Sequence, residues 1–170
     1  THGHEDHIGA IPYILKQINL PIYATKLTIE LIKNKLEEHH LLNSTKLHVV
    51  EAGKTVNFGK IKAEFIRSSH SIPDAVMIAM HTGDFKVDYT PIDDKIMDLG
   101  RIAELGNNGI LALLSDSTNS EKKGFTMSES SIGDVFDRLF QGNKKRIVVA
   151  TFASNVHRVQ QIVNSAVKYG

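Results

Sequence analysis

The amino-acid sequence predicts an α/β fold, because short apolar strands alternate with amphipathic helices along the chain. The predicted strands are runs of apolar and β-branched residues that stop at glycine or at acidic side chains. The predicted helices repeat apolar residues at a spacing of three or four. With 170 residues, 41% of them hydrophobic, the chain is large enough to bury a core.

The first half of the chain starts with a loop that enters a helix over residues 8–18, with Pro12 near its beginning. A strand over residues 21–24 follows, and then a helix that is capped by Thr25 and extends to about His40. Residues 46–70 are expected to form short strands separated by glycine turns.

In the second half, three predicted strands end at residues that can bind metals: His70, Asp84 and Asp116. The last of these strands is expected over residues 110–116. A helix over residues 127–141 should be capped by Ser128 or Ser130. A strand over residues 146–152, a polar turn and a final helix are expected to complete the chain.

Composition excludes several classes of protein. The formal net charge is +1, so a nucleic-acid partner would need a local basic patch. The chain has no cysteine, which excludes disulfides and thiolate metal sites. No apolar run approaches the roughly 18 residues of a membrane span, and no signal sequence is visible. We therefore expect a cytoplasmic protein that does not enter a membrane.

The opening stretch THGHEDHIGA concentrates three histidines, an aspartate and a glutamate in residues 2–7. Imidazole nitrogen and carboxylate oxygen suit zinc or manganese, and ligands two or three residues apart on a loop can serve two adjacent ions. Without a metal, these histidines would repel one another when protonated. Because a mature chain rarely begins inside such a motif, we expect a segment of a longer protein.

Five stretches together resemble the bacterial ribonuclease J family of the metallo-β-lactamase superfamily, β-CASP branch. They are THGHEDHIGA, SSHSIPDAV, HTGDFKVDYTP, LLSDSTNSE and ATFASNVHRVQQI. The resemblance implies an αββα metallo-β-lactamase sandwich, present in part over residues 1–128. Residues 129–170 would then be the start of the β-CASP α/β domain.

The resemblance also implies a site for two zinc ions, with manganese as an alternative. The first two histidines of the opening motif and the histidine of SHSIPD would bind one ion, the motif's aspartate and last histidine the other, and the aspartate of TGDFK would bridge both. The implied ligands are His2, His4, Asp6, His7, His70 and Asp84. Residues implied in catalysis are Asp6, Asp84 and Asp116. For Asp116, an Asx turn is the alternative interpretation.

The segment before the last predicted helix is the candidate RNA contact. Helix N–H groups attract phosphate, and basic side chains add charge. The candidates are Ser154, Asn155, His157 and Arg158. An ordinary helix cap is the alternative for these residues.

The implied function is hydrolysis of RNA phosphodiester bonds, as a 5′–3′ exonuclease, an endonuclease or both, in messenger RNA decay and ribosomal RNA maturation. The implied partners are single-stranded RNA, other RNA-decay proteins and further copies of the chain. A small-molecule hydrolase of the same superfamily and a non-catalytic RNA-binding segment remain alternatives. The family's late histidine ligands are missing, and the hairpin before His81 is shorter than usual, so the chain alone should bind one ion tightly and hydrolyse RNA poorly.

Overall fold

The computed structural model describes residues 1–59, 61–78, 81–110 and 112–170, and its mixed helices and strands confirm the α/β class. A 3₁₀ turn at Leu42–Ser44 precedes the second strand. The helices are α1 (Glu5–Ile8), α2 (Ile11–Leu15), α3 (Lys26–Glu38), α4 (Leu99–Asn107), α5 (Ser130–Phe140) and α6 (Val156–Tyr169). The strands are β1 (Ile22–Ala24), β2 (Leu47–Val49), β3 (Thr55–Phe58), β4 (Ile61–Arg67) and β5 (Val76–Ile78). None of the helices described is long and apolar enough to cross a membrane.

The first packing unit consists of α3 and the parallel pair β1–β2. The side chains of α3 that face the core include Ile29, Ile32 and Leu36, and each of them is at most 2% exposed. They pack with Ile8 and with partly buried apolar side chains that include Ile11 on α2, Ile22 on β1 and Leu47 on β2. This core fixes α1, and therefore the opening motif, against α3.

The second unit is an antiparallel meander in the order β3–β4–β5. Phe65 on β4 packs on one side of the meander with Val50 and Val76, and Ile66 packs on the other side with Met77 and Met97. The chain leaves β4 towards His70 and leaves β5 towards Asp84. Because β4 and β5 are antiparallel, the chain leaves them at opposite ends of the sheet. The antiparallel pairing of Ile78 with His81 directs the following residues back, and Asp84 thereby reaches the end of the sheet where His70 lies.

Helix α4 was not predicted from the sequence. Its N-cap is Asp98, whose carboxylate accepts the Arg101 N–H at 2.9 Å. The Arg101 guanidinium makes two hydrogen bonds to Glu64 on β4, of 2.7 and 2.8 Å. This ion pair fixes α4 to the meander.

Several strand and helix predictions are wrong in extent. The predicted helix over residues 8–18 is divided into α1 and α2, because Pro12 has no N–H to donate to the Ile8 carbonyl. The strand expected up to Asp84 ends at Ile78. Ile78 and His81 exchange backbone hydrogen bonds of 2.9 and 2.6 Å, and residues 79 and 80 between them lie outside the described residues.

The strands predicted over residues 110–116 and 146–152 are also wrong. Around Leu111, which lies outside the described residues, the only pairing is a single bridge between Leu114 and His81. In the later segment Val148 and Phe152 are 86% and 80% exposed. An apolar run becomes a strand only when a neighbouring strand pairs with its backbone along its length. Among the described residues, the first run has only this bridge, with the Thr82 N–H donating to the Leu114 carbonyl at 2.9 Å, and the second run pairs with no strand.

The C-terminal unit is a pair of packed helices, α5 and α6. The Ser165 hydroxyl and the Lys168 ammonium group on α6 both donate to Asp137 on α5. Gln161 is buried between the helices, near Gly133. The prediction that Ser128 or Ser130 caps α5 is wrong, because the N-cap is Glu129 and Ser130 is the first helical residue. The Ser128 hydroxyl lies one residue earlier and accepts the Ser130 N–H at 3.3 Å.

Shortening a core side chain on α3 should destabilise the fold. We expect Leu36→Ala to lower the free energy of unfolding by about 2–5 kcal/mol, because Leu36 is fully buried and its loss leaves a cavity. The matched control is Leu20→Ala, since Leu20 is 49% exposed, and we expect it to change stability by only about 0.5 kcal/mol. Urea denaturation measures both, and equal losses would contradict the assignment of the core.

Candidate metal centre

Three loops meet at the end of the meander and are fixed to one another by backbone contacts. The Val76 N–H donates to the Thr1 carbonyl at 3.0 Å, which holds the opening motif against β5. The Ser68 N–H donates to the Ala75 carbonyl at 3.1 Å, and the Ser68 hydroxyl donates to the Asp84 carbonyl at 3.4 Å. These bonds place the loops that carry the candidate ligands side by side.

The first group of candidate ligands consists of three imidazoles and a carboxylate. His4 Nδ1 lies 3.1 Å from His2 Nε2 and 3.1 Å from His70 Nε2. Asp84 Oδ2 lies 3.7 Å from His70 Nε2. One ligand atom from each of the four residues lies within 4.8 Å of the others. For comparison, zinc–nitrogen bonds of about 2.0–2.1 Å in a tetrahedral site place neighbouring nitrogens roughly 3.3 Å apart.

The second group consists of Asp6, His7 and Asp84, whose ligand atoms also lie within 4.8 Å of one another. His7 Nε2 is 3.2 Å from Asp84 Oδ1 and 3.6 Å from Asp6 Oδ2. Asp84 therefore presents one oxygen to each group. This is the position of a carboxylate that bridges two cations.

The donor set fits divalent metal ions. In the first group two Nε2 atoms face the same Nδ1 atom, and a single proton cannot satisfy both contacts. A cation placed among the three nitrogens can accept all three lone pairs. Since the donors are nitrogen and oxygen only, zinc and manganese both suit them.

Burial favours the neutral, metal-binding form of His2 and His70 by lowering the pKa of each. His2 is 1% exposed, and desolvation, with smaller contributions from the nearby histidines, lowers its pKa to about 3. Desolvation and His4 also lower the pKa of His70, while Asp84 and Asp116 partly oppose that shift. Neutral imidazole nitrogens have free lone pairs, so no proton must leave before a metal binds.

Outer contacts orient two of the imidazoles. His2 Nδ1 lies 3.1 Å from the Thr1 hydroxyl, and His4 Nε2 lies 3.2 Å from the Ser154 carbonyl. A second hydrogen bond of this kind fixes the ring and tautomer of a metal-binding histidine. The opening motif thereby contacts the segment that leads into α6.

Gly83 allows the Asp84 loop to approach Thr1. Its φ is +58°, and a Cβ atom there would lie 2.9 Å from Thr1 Cβ. A side chain at this position would therefore be strained and would also clash. The glycine keeps Asp84 next to the opening motif.

Asp116 forms an Asx turn and also contacts the metal centre. Its Oδ1 accepts the N–H and the hydroxyl of Thr118, at 2.9 and 2.7 Å. These bonds are the largest contributions that lower its pKa, and the Phe85 N–H adds another. Asp116 lines a cavity with His7 and Asp84. The Asx turn is therefore confirmed, and the part of Asp116 in catalysis stays a prediction.

The four residues predicted to contact RNA have different positions. The Asn155 side chain caps α6 by accepting the Arg158 N–H at 3.1 Å. The Arg158 guanidinium is engaged by Glu129, at 2.6 and 3.3 Å. His157 lines a small cavity that His70 also lines, and Ser154 contacts His4 through its carbonyl. Their binding to RNA stays a prediction.

Two contributors to the site were missed from the sequence, Thr1 and Thr82. The Thr82 hydroxyl accepts the Asp116 N–H at 2.9 Å and donates to the Gly83 carbonyl at 2.7 Å. Thr1 directly precedes His2, and Thr82 directly precedes Gly83. This position next to a motif residue was the sequence signal that could have indicated their contribution to the site. His81, interpreted as structural, accepts the Gly83 N–H at 3.1 Å.

An α/β chain with two ligand groups that share a carboxylate is consistent with the metallo-β-lactamase/β-CASP fold. Residues 144–170 match a family profile described as "Ribonuclease J, beta-CASP domain". This match lies within the segment predicted to begin the β-CASP domain. The boundary at residues 128 and 129 stays a prediction.

Sequence comparison extends this match to the whole chain. It is 46% identical to ribonuclease J 1 of Streptococcus pyogenes serotype M3 over 100% of its length, and 48% identical to ribonuclease J of Synechocystis sp. over 99%. It is 40% identical to ribonuclease J2 of Bacillus subtilis over 100%. The chain belongs to the ribonuclease J family. It spans about a third of these relatives, 32%, 28% and 32% of their respective lengths.

Titration of the 170-residue chain with zinc should show one tight site and one weaker site. The first group offers four donors within reach of one another, and the second offers three, one of them shared. We expect His70→Ala to weaken the tight site by more than the roughly 10–100-fold that loss of an outer contact costs. Isothermal titration calorimetry measures both affinities.

The matched control for that titration is His48→Ala. His48 is exposed on β2 and belongs to neither ligand group, so this variant should keep the tight site. Equal affinities for zinc in the wild type and in His70→Ala would contradict the assignment of the first group.

Proposed function

We propose that the protein hydrolyses RNA phosphodiester bonds with a pair of divalent ions, zinc or alternatively manganese. The observation that carries this proposal is the position of Asp84, whose two carboxylate oxygens face His70 and His7 in different ligand groups. The relatives named ribonuclease J support RNA as the substrate. The match of residues 144–170 to a β-CASP domain gives a small-molecule hydrolase no support.

A divalent pair at these groups would lower the pKa of a water and neutralise negative charge on the attacked phosphate. The chain's own residues fix the geometry that such chemistry requires. Thr1 and the Ser154 carbonyl hold the rings of His2 and His4. The hydroxyl of Ser68 holds the Asp84 backbone. Because these contacts exist before any substrate arrives, the ligands need little reorganisation when RNA binds.

Asp116 lines the same cavity as Asp84 and His7. Hydrogen bonds from Thr118 hold its pKa below the ordinary range, so it stays ionised at neutral pH. We assign it to support of the Asp84 loop, through the Phe85 N–H that it accepts. Asp6 supplies an exposed carboxylate to the second group.

The cellular part of the proposal rests on the relatives' names and on the family resemblance. It comprises 5′–3′ exonuclease or endonuclease activity on single-stranded RNA, with roles in messenger RNA decay and ribosomal RNA maturation in the cytoplasm. Association with further copies of the chain and with other RNA-decay proteins belongs to it as well. The segment with Ser154, Asn155, His157 and Arg158 would contact the RNA near the metal centre.

Removal of the shared carboxylate should separate hydrolysis from binding. In a preparation of the protein that hydrolyses RNA, we expect Asp84→Ala to abolish turnover, because both ligand groups lose a donor. Affinity for RNA should change little, since the residues proposed to contact RNA, at 154–158, lie outside both ligand groups. Cleavage of a 5′-monophosphorylated RNA and equilibrium binding measure the two effects.

Asp134→Ala is the matched control, because Asp134 is exposed on α5 and belongs to neither ligand group. This variant should hydrolyse RNA at the parent rate. Parent-level turnover by Asp84→Ala would remove the shared carboxylate from the mechanism.

A further inference from the structure

We propose that residues 119–127, here called the Lys-Phe loop, bind single-stranded RNA next to the metal centre. In this proposal the Phe125 ring stacks on a base, while Lys122 and Lys123 contact phosphates on either side of it. The inference rests on the proposed function, and it assigns a second RNA contact besides the segment before α6.

Phe125 is the first observation. Its side chain is 89% exposed, more than any other large apolar side chain in the described part of the chain. Met127 in the same loop is 64% exposed. Phenylalanine is among the residue types most often buried. An exposed ring beside two lysines has the chemistry of a single-stranded nucleic-acid contact.

The second observation is that the loop is held at both ends. At its beginning, Thr118 is bonded to Asp116, and the Lys122 N–H donates to the Asn119 carbonyl at 2.9 Å. At its end, the Lys86 ammonium group donates to the Met127 carbonyl at 2.5 Å. The following residue, Ser128, donates to Asp88 at 2.9 Å. Phe125 is therefore exposed on a fixed frame.

The third observation is the position of the loop relative to the metal centre. A depression is lined by the residues Thr118, Asn119, Lys122, Lys123, Gly124, Phe125 and Thr126. Thr118 also holds Asp116, which lines the cavity of His7 and Asp84. The depression and the metal centre thus adjoin through the Asx turn. An RNA strand with a phosphate at the metal centre can extend its neighbouring nucleotides over the loop.

Charge and ring chemistry together select single-stranded nucleic acid. The part of the chain that the structure describes gives Lys122 and Lys123 no ion-pair partner, and Glu121 is the one acidic residue in the loop. Phosphates require cations, and unpaired bases stack on aromatic rings whatever their sequence. A duplex hides its base faces, so Phe125 could stack only on an unpaired strand.

The test measures binding of a single-stranded phosphorothioate oligouridine to the zinc-loaded 170-residue chain by fluorescence anisotropy. We expect Phe125→Ala to weaken binding by about 5-fold to 100-fold, the range for loss of one base stack. Phe125→Trp should restore the affinity, because tryptophan also stacks. Tyr13→Ala is the aromatic control, since Tyr13 is 59% exposed on α2.

A second set of variants tests the two lysines through the salt dependence of RNA binding. Removal of a lysine that contacts phosphate should reduce the slope of log affinity against log salt by about 0.7 for a single strand. We expect this reduction for Lys122→Ala and for Lys123→Ala. Lys144→Ala and Lys145→Ala, a lysine pair in the loop between α5 and α6, are the matched controls and should leave the slope unchanged.

The inference would be overturned if all loop variants bound the oligouridine with the affinity and the salt dependence of the parent protein. A change of oligomeric state in Phe125→Ala with unchanged RNA affinity would also overturn it, since that result would make the loop a protein interface. Failure of the proposed function gives a different result: the parent protein binds the oligomer through Phe125 but no preparation of it cleaves RNA. If cleavage proceeds and KM for single-stranded RNA is the same in Phe125→Ala, only the loop assignment fails.

Discussion

The crowding of imidazole nitrogens around one carboxylate is the constraint on which the rest of the structure depends. His4 Nδ1 has two imidazole nitrogens at 3.1 Å, and the Asp84 carboxylate lies between this group and His7. Burial keeps His2 neutral, so protonation cannot relieve the crowding. In the proposed function, a cation at each group would relieve the crowding by accepting the lone pairs.

Every element near this cluster contributes to holding it. The core of α3 fixes the opening motif, the reversal of the chain between Ile78 and His81 returns Asp84 to the end of the sheet where His70 lies, and Gly83 brings the two loops together. The Ser154 carbonyl connects His4 to the segment before α6. A molecule that binds to this segment would therefore affect the orientation of His4 in the first ligand group.

Local patterns predicted much of this correctly. The helix capped at Thr25 and the strand before it are present, because their hydrophobic periodicity and capping signals are contained in their own sequence. The ligand groups are brought together as the family resemblance implied for His2, His4 and His70. Contacts between distant residues were not predictable: Ser154 was predicted only as an RNA contact, yet its carbonyl contacts His4, 150 residues away.

The wrong strand predictions have the same origin. The run over residues 146–152 is as apolar as a strand, but a strand also needs partners that its own sequence does not specify. In the same way Arg158 has the chemistry of an RNA contact, and only the packing of α5 against α6 shows that Glu129 engages it. Burial and pairing depend on neighbours, and single-sequence patterns report them only where neighbours are close along the chain.

Anomalous diffraction from crystals of the zinc-loaded chain tests the central claim most directly. The account predicts one peak bound by His2 Nε2, His4 Nδ1 and His70 Nε2. Where the second site is filled, it predicts another peak near His7, roughly 3.5–4 Å away, with Asp84 between the two. Zinc bound only by histidines outside the ligand groups, such as His39 or His48, would contradict it.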